Sequence, residues 1–191
     1  MELIIIRHGE TAWTISGQHT GATELPLTEH GRQEAAAIAP LVAGLLEGRE
    51  PLVISSPRQR ALDTAHLAVP GADVVTSELV VEFDYGAYEG LTTAEITEQR
   101  PGWDIWRDGC PDGETVEEVG LRARSFLEDC VEGAPRPVIV VTHGHFSRIL
   151  TAVGLGLAPS QGGLLASATA SVSMLTEHLG TTCLGLWNAT G

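Results

Sequence analysis

The sequence predicts an α/β protein of three layers, α/β/α, with a mainly parallel central sheet between two layers of helices. Three observations carry that prediction. Short β-branched runs alternate along the chain with alanine- and leucine-rich stretches of helical length. Two of the runs, Glu2 to Ile6 and Pro137 to Thr142, are apolar almost throughout, as strands buried on both faces of a parallel sheet require. Both lead into a histidine followed by glycine, His8-Gly9 and His143-Gly144. In parallel α/β folds ligands gather at the carboxyl ends of the strands, where these residues fall.

Each element has its own signal. Glu2 to Ile6 is a strand that delivers Arg7 and His8. Thr28 is an N-cap for one helix running to Gly48. Leu52 to Ser55 is a second short strand, and Ser56-Pro57 start a helix that reaches about Val69. Two more apolar runs follow, Asp73 to Thr76 and Leu79 to Glu82, and the second puts Glu82 at the end of a strand of its own. The stretch from Phe83 to Gly113 is rich in Gly, Trp and Tyr and reads as an insertion of loop and helix that shapes a pocket. Thr92 with Glu95, and Thr115 with Glu118, match the capping box, and the second of these helices extends to about Glu132, before Gly133 and Pro135. Another helix follows His143-Gly144, and Val172 to Thr176 and Cys183 to Trp187 are closing strands. With no internal repeat and no long linker, residues 1–191 read as a single domain.

Composition narrows the function. The net charge is -14 and the pI about 4.7, which excludes nucleic acid and anionic membranes as partners, since both select basic surfaces. All 11 basic residues are arginine. The absence of lysine removes Schiff-base chemistry and the P-loop mode of phosphate binding. Cys110, Cys130 and Cys183 are odd in number and lack paired metal-ligand spacing, so neither a disulfide framework nor a zinc site is suggested. Separately, no metal and no cofactor is expected. The apolar run before Arg7 is too short for a signal peptide or a membrane span, and a cytoplasmic protein is expected. Oligomeric state stays open, a homodimer among the options.

Three strand ends then supply compatible chemistry: Arg7-His8, Ser56-Pro57-Arg58 and His143-Gly144. Two guanidinium groups, Arg7 and Arg58, hold a dianionic phosphoryl group through charge-assisted bonds while His8 attacks phosphorus in line. His143 adds a donor, and the amides of the helix that begins at Gly144 add more. His8 must be neutral, with its other nitrogen donating to a backbone carbonyl. Expulsion of an alkoxide needs a proton, for which Glu82 is the best carboxylic acid, and the same carboxylate then activates water. The partner implied is a small phosphoester.

These residues resemble the histidine phosphatase superfamily, the phosphoglycerate mutase-like proteins. Arg7-His8-Gly9-Glu10-Thr11, Ser55-Ser56-Pro57-Arg58, Glu82 and Thr142-His143-Gly144 look like its motifs in order, and Tyr85-Gly86 with Glu89-Gly90 matches an intervening stretch. The resemblance implies a phosphohistidine at His8, a phosphate pocket of Arg7, Arg58 and His143, and Glu82 as proton donor. It also implies substrate contacts at Thr20, Gly21 and Gly144, with Thr14 where many relatives carry asparagine. Where the cofactor-dependent mutases of the family have an arginine and a lysine, this chain has Phe83 and Thr93, so the resemblance favours a phosphatase over a mutase. The runs Trp103 to Cys110 and Thr142 to Arg148 are similar to a branch of actinobacterial acid phosphatases and fungal sedoheptulose bisphosphatases. Tyr85 is the aromatic residue expected to wall the pocket, whereas Trp103, Trp106 and Tyr88 read as packing. His19 is a candidate for the entrance, and His145 and Arg148 either reach a second phosphate or merely cap and solvate their helix.

Overall fold

The computed structural model describes residues 2–191. The first apolar run forms β1 (Leu3–Arg7), buried from Leu3 to Ile6. A short helix, α1 (Ala12–Ser16), opens with reciprocal capping between Thr11 and Thr14. The single helix expected from Thr28 to Gly48 is two, α2 (Glu29–Ala37) and α3 (Ala39–Leu46). Pro40 stands in the first turn of α3, where its missing N–H and its ring prevent continuation of the preceding helix. Next come β2 (Leu52–Ser55), α4 (Gln59–Ala68) and β3 (Val74–Thr76).

The run Leu79 to Glu82 is not a strand. Ser77 accepts the Leu79 N–H with its hydroxyl and starts a 3-10 turn over Glu78–Val80, so the chain leaves the sheet after β3 and Glu82 sits in a loop. Beyond it lie α5 (Thr93–Gln99), α6 (Ile105–Asp108) and α7 (Val116–Phe126). The capping boxes at Thr92 and Thr115 are both formed, and α7 runs on as a π turn, Leu127–Val131. The chain ends with β4 (Val138–Thr142), α8 (Gly144–Gly154), β5 (Val172–His178) and β6 (Thr181–Ala189).

The sheet has the order β3-β2-β4-β1-β5-β6. β1, β2, β3 and β4 are parallel, whereas β5 and β6 are antiparallel additions beside β1. Side chains alternate between its faces. Leu3, Ile5, Val138 and Val140 face Phe126, Phe146 and Ile149 of the α7–α8 layer, and Ile4, Ile6, Ile139 and Val141 face Ile38, Val42, Ala61 and Ala65 of the α2–α4 layer. This is the expected three-layer, mainly parallel fold. Among the described residues no helix is long and apolar enough to cross a membrane.

The register positions the chemistry. Arg7 lies opposite Thr142, so the next residue of each strand end, His8 and His143, comes side by side with ring centroids 5.2 Å apart. Thr142 also fixes the loop that carries Glu82, because its buried hydroxyl donates to the Val80 carbonyl at 2.6 Å. A Thr142→Val variant keeps the shape but leaves that carbonyl without its partner, a loss of about 1–3 kcal/mol on denaturant unfolding. Unchanged stability in that measurement would show that this bond does not anchor the loop.

Candidate active site

The nucleophile candidate is held from three sides. Its N–H donates to the Thr142 carbonyl at 2.9 Å, while the following amide, that of Gly9, donates to the Thr64 hydroxyl on α4. The His8 ring lies with Nδ1 2.8 Å from the Gly9 carbonyl oxygen, which can only accept, so Nδ1 carries the proton and Nε2 the lone pair. His8 is 4% exposed. Burial above all, then the charges of Arg60 and Arg7, holds it well below the ordinary imidazole range and keeps it neutral.

Arg7 projects beside it into a cavity of about 160 Å³. One of its terminal nitrogens donates to the Ser167 carbonyl, and its buried Nε has no partner among the described residues. Such an unpaired donor on a cation is what a phosphoryl oxygen would take. Gly144 makes room for this, since a Cβ there would stand 3.2 Å from the Arg7 guanidinium carbon. His8, Arg7, Thr14, Thr20, Glu82, Tyr85, Gly144, His145 and Arg148 all border the cavity, as do His19 and Ser167.

The guanidinium hydrogen-bonded to a histidine is that of Arg60, a residue the motif reading passed over. Arg60 is completely buried, and its Nε donates to His143 Nδ1 at 3.3 Å. That bond leaves the proton of His143 on Nε2, which is 2.8 Å from the Ser56 hydroxyl. Arg58 instead lies at the edge, with one terminal nitrogen 3.3 Å from the Glu24 carboxylate and its own Nε buried without a partner among the described residues. The difference is one of helix geometry. Arg58 is the N-cap of α4, whereas Arg60 shares the buried face of that helix with Ala61, Thr64 and Ala68. An arginine four residues before a threonine on the apolar stripe of a helix is the signal that could have found it.

Other expected residues sit differently from their reading. His143 is completely buried and both its ring nitrogens are engaged within the protein. The Thr14 hydroxyl donates to the Thr11 carbonyl and is absorbed in the cap of α1. Gly21 lies off the cavity, its N–H bound to Glu89. The amides at the start of α8, expected to face phosphate, are taken by Glu82: His145 N–H donates to its Oε2 at 3.1 Å and Phe146 N–H to its Oε1 at 2.9 Å. The Phe83 amide donates to Oε1 as well. Three donors thus fix the carboxyl at the cavity wall.

Rings wall one side of the cavity. Tyr85 stacks on His19, with centroids 4.7 Å apart, and its hydroxyl is 2.8 Å from His145 Nδ1. Trp106 lies against His145 and beneath the Arg148 guanidinium, 4.4 Å from its ring centre. Trp103 is packing, its indole N–H donating to the Gly109 carbonyl.

Residues 3–190 match the family model of the histidine phosphatase superfamily, branch 1. The chain belongs to that superfamily. It is 44% identical, over 99% of its length and 93% of the relative's, to an acid phosphatase of Mycobacterium tuberculosis. It is 36% identical to the sedoheptulose 1,7-bisphosphatase of Saccharomyces cerevisiae, covering 81% of this chain and 67% of that one. A solved structure of an open reading frame product from Mycobacterium tuberculosis superimposes with a TM-score of 0.93 at 43% identity, covering 99% of this chain and 97% of that one. Family and fold are those the motifs implied.

The imidazoles make stability pH-dependent in a defined direction. His8, His143 and His145 are all held well below 6.5, chiefly by burial and then by neighbouring arginines. As pH falls below that value the unfolded chain binds protons that the folded chain refuses, so folding free energy is lost. Between pH 6 and 5, unfolding free energy should fall more steeply in the parent than in a His145→Gln variant, by about 1 kcal/mol per pH unit. Parallel curves for the two proteins in denaturant titrations would contradict this.

Proposed function

We propose that the chain hydrolyses small phosphomonoesters through a phosphohistidine at His8. The observation that carries the reading is the His8 ring, neutral, with its proton on the nitrogen facing Gly9, bordering the same cavity as Arg7, whose buried Nε has no partner among the described residues. In the first step His8 Nε2 attacks phosphorus, the bond from phosphorus to the ester oxygen breaks, and Glu82 gives its proton to the departing alkoxide. In the second step water attacks phosphorus, Glu82 takes a proton from it, the N–P bond breaks and inorganic phosphate leaves. Arg7 and the charge of Arg60 stabilise the equatorial oxygens throughout.

Transfer to water, as opposed to a second substrate, is supported by what lies around the leaving group. Phe83 is completely buried and Thr93 directs its hydroxyl toward His19 at 3.4 Å, so neither position offers a cation to a substrate carboxylate. Each missing charged partner is worth about 1.5–3 kcal/mol. Hydrolysis of a sugar bisphosphate is a second reading, favoured by Arg148, whose charge borders the cavity while its Nε and one terminal nitrogen donate to the Gly162 and Gly163 carbonyls. The segment from Phe83 to Gly113 contributes Tyr85 to the wall and is the part of the proposed single domain that sets specificity.

Incubation with a labelled phosphoester should leave acid-labile phosphate on the protein, and a His8→Ala variant should lose both label and turnover. Glu82→Gln should slow hydrolysis of alkyl phosphates about 10²–10⁴-fold, and of an aryl phosphate with a good leaving group much less. Turnover by His8→Ala at the parental rate, or conversion of one monophosphoglycerate into the other faster than its hydrolysis, would overturn the reading. Comparison of sugar monophosphates with bisphosphates separates the two substrate classes.

A further inference from the structure

The loop from Thr20 to Glu24 is gripped from both sides. Its amides face Glu89: the Gly21 N–H donates to both carboxylate oxygens, at 3.0 and 2.8 Å, and the Thr23 N–H donates to Oε1 at 3.0 Å. Its carbonyls face Arg60, accepting from the terminal nitrogens at 2.9 Å for Thr23, 3.1 Å for Thr20 and 2.9 Å for Gly21. There is no slack at the centre of the grip. A Cβ on Gly21 would stand 2.8 Å from the Phe83 carbonyl oxygen and 2.9 Å from Glu89 Oε2.

Donor counting shows why this matters. A guanidinium has five N–H groups in a rigid plane. In Arg60 one goes to His143 and three to the loop carbonyls, so the loop sets the plane of the guanidinium and with it the nitrogen presented to the histidine. Glu89 forms no ion pair with any described residue that would give it another task. Among the described residues its oxygens accept hydrogen bonds from amides of the loop alone.

We infer that Glu89 is a positioning residue: by holding the amides of Gly21 and Thr23 it fixes the carbonyls that aim Arg60, and Arg60 in turn fixes the tautomer and orientation of the His143 ring. The link to turnover rests on the phosphatase reading above, but the link to the ring does not.

Two measurements on the full chain separate them. Imidazole ¹⁵N shifts of His143 should report a proton on Nε2 and a bonded lone pair on Nδ1 in the parent. A Glu89→Ala variant should move these shifts toward a mixture of tautomers and lower kcat by about ten- to a hundredfold with little change in KM, the effect of misplacing a group that supports the reacting centre. Glu89→Gln, which keeps the size and one acceptor oxygen, should fall between the two and serves if the alanine variant does not fold. Unchanged ring shifts overturn the inference whatever happens to activity. Shifted rings with a parental kcat overturn its bearing on catalysis, and an inactive parent with responsive rings would fail the phosphatase reading alone.

Discussion

The interaction on which the site depends is the solvation of one buried cation by the backbone. A guanidinium removed from water must recover its hydrogen bonds from the protein or the burial is prohibitive. Arg60 recovers four, three from carbonyls of the loop after α1 and one from the ring of His143. It also has a backbone tie to the nucleophile. The Arg60 carbonyl accepts from the Thr64 hydroxyl, which in turn accepts from the Gly9 amide next to His8. One side chain and one turn of α4 thus connect β1, β4 and the loop that closes over them.

That arrangement explains how an acidic chain can hold a dianion. With a net charge of -14 the molecule as a whole repels phosphate, and binding must come from local field. Arg7, Arg58 and Arg60 lower the proton affinity of His143, and Arg7 and Arg60 that of His8, in both cases after the effect of burial. In the proposed mechanism the charges that attract the phosphoryl group therefore also help to keep the attacking ring neutral. The proposed nucleophile and the proposed anion site are made by one set of residues.

Much of this was legible in the chain. The β-branched runs marked β1 and β4 because their side chains are buried on both faces, and the Thr/Glu capping boxes marked α5 and α7 because the reciprocal bonds are local. What failed depended on tertiary context. Leu79 to Glu82 has strand composition but follows an edge strand, and Ser77 turns it away. Pro40 split a helix whose alanine and leucine content suggested continuity. Arg60 was passed over since Arg58, closer to the strand end, sits in the more familiar run, and only the helical phase of α4 distinguishes a buried arginine from one at the rim. Glu89 stood in a stretch similar to the family's, but its role was not legible, because its partners are backbone amides distant in sequence.

The start of α8 shows an anion other than the expected one. A helix N-terminus favours negative charge, and the sequence pointed to a phosphate there. The amides of His145 and Phe146 bind the Glu82 carboxyl, so in the proposed mechanism the positive end of the helix serves the proton carrier and the phosphoryl group is left to the arginines. This division has a geometric consequence. Because α8 begins immediately after His143, the ring tied to Arg60 and the amides tied to Glu82 belong to one rigid turn. That turn fixes the spacing between the His143 ring and the Glu82 carboxyl, which borders the cavity with Arg7 and His8, and a fixed geometry is what the proposed in-line attack and protonation of the departing oxygen both need.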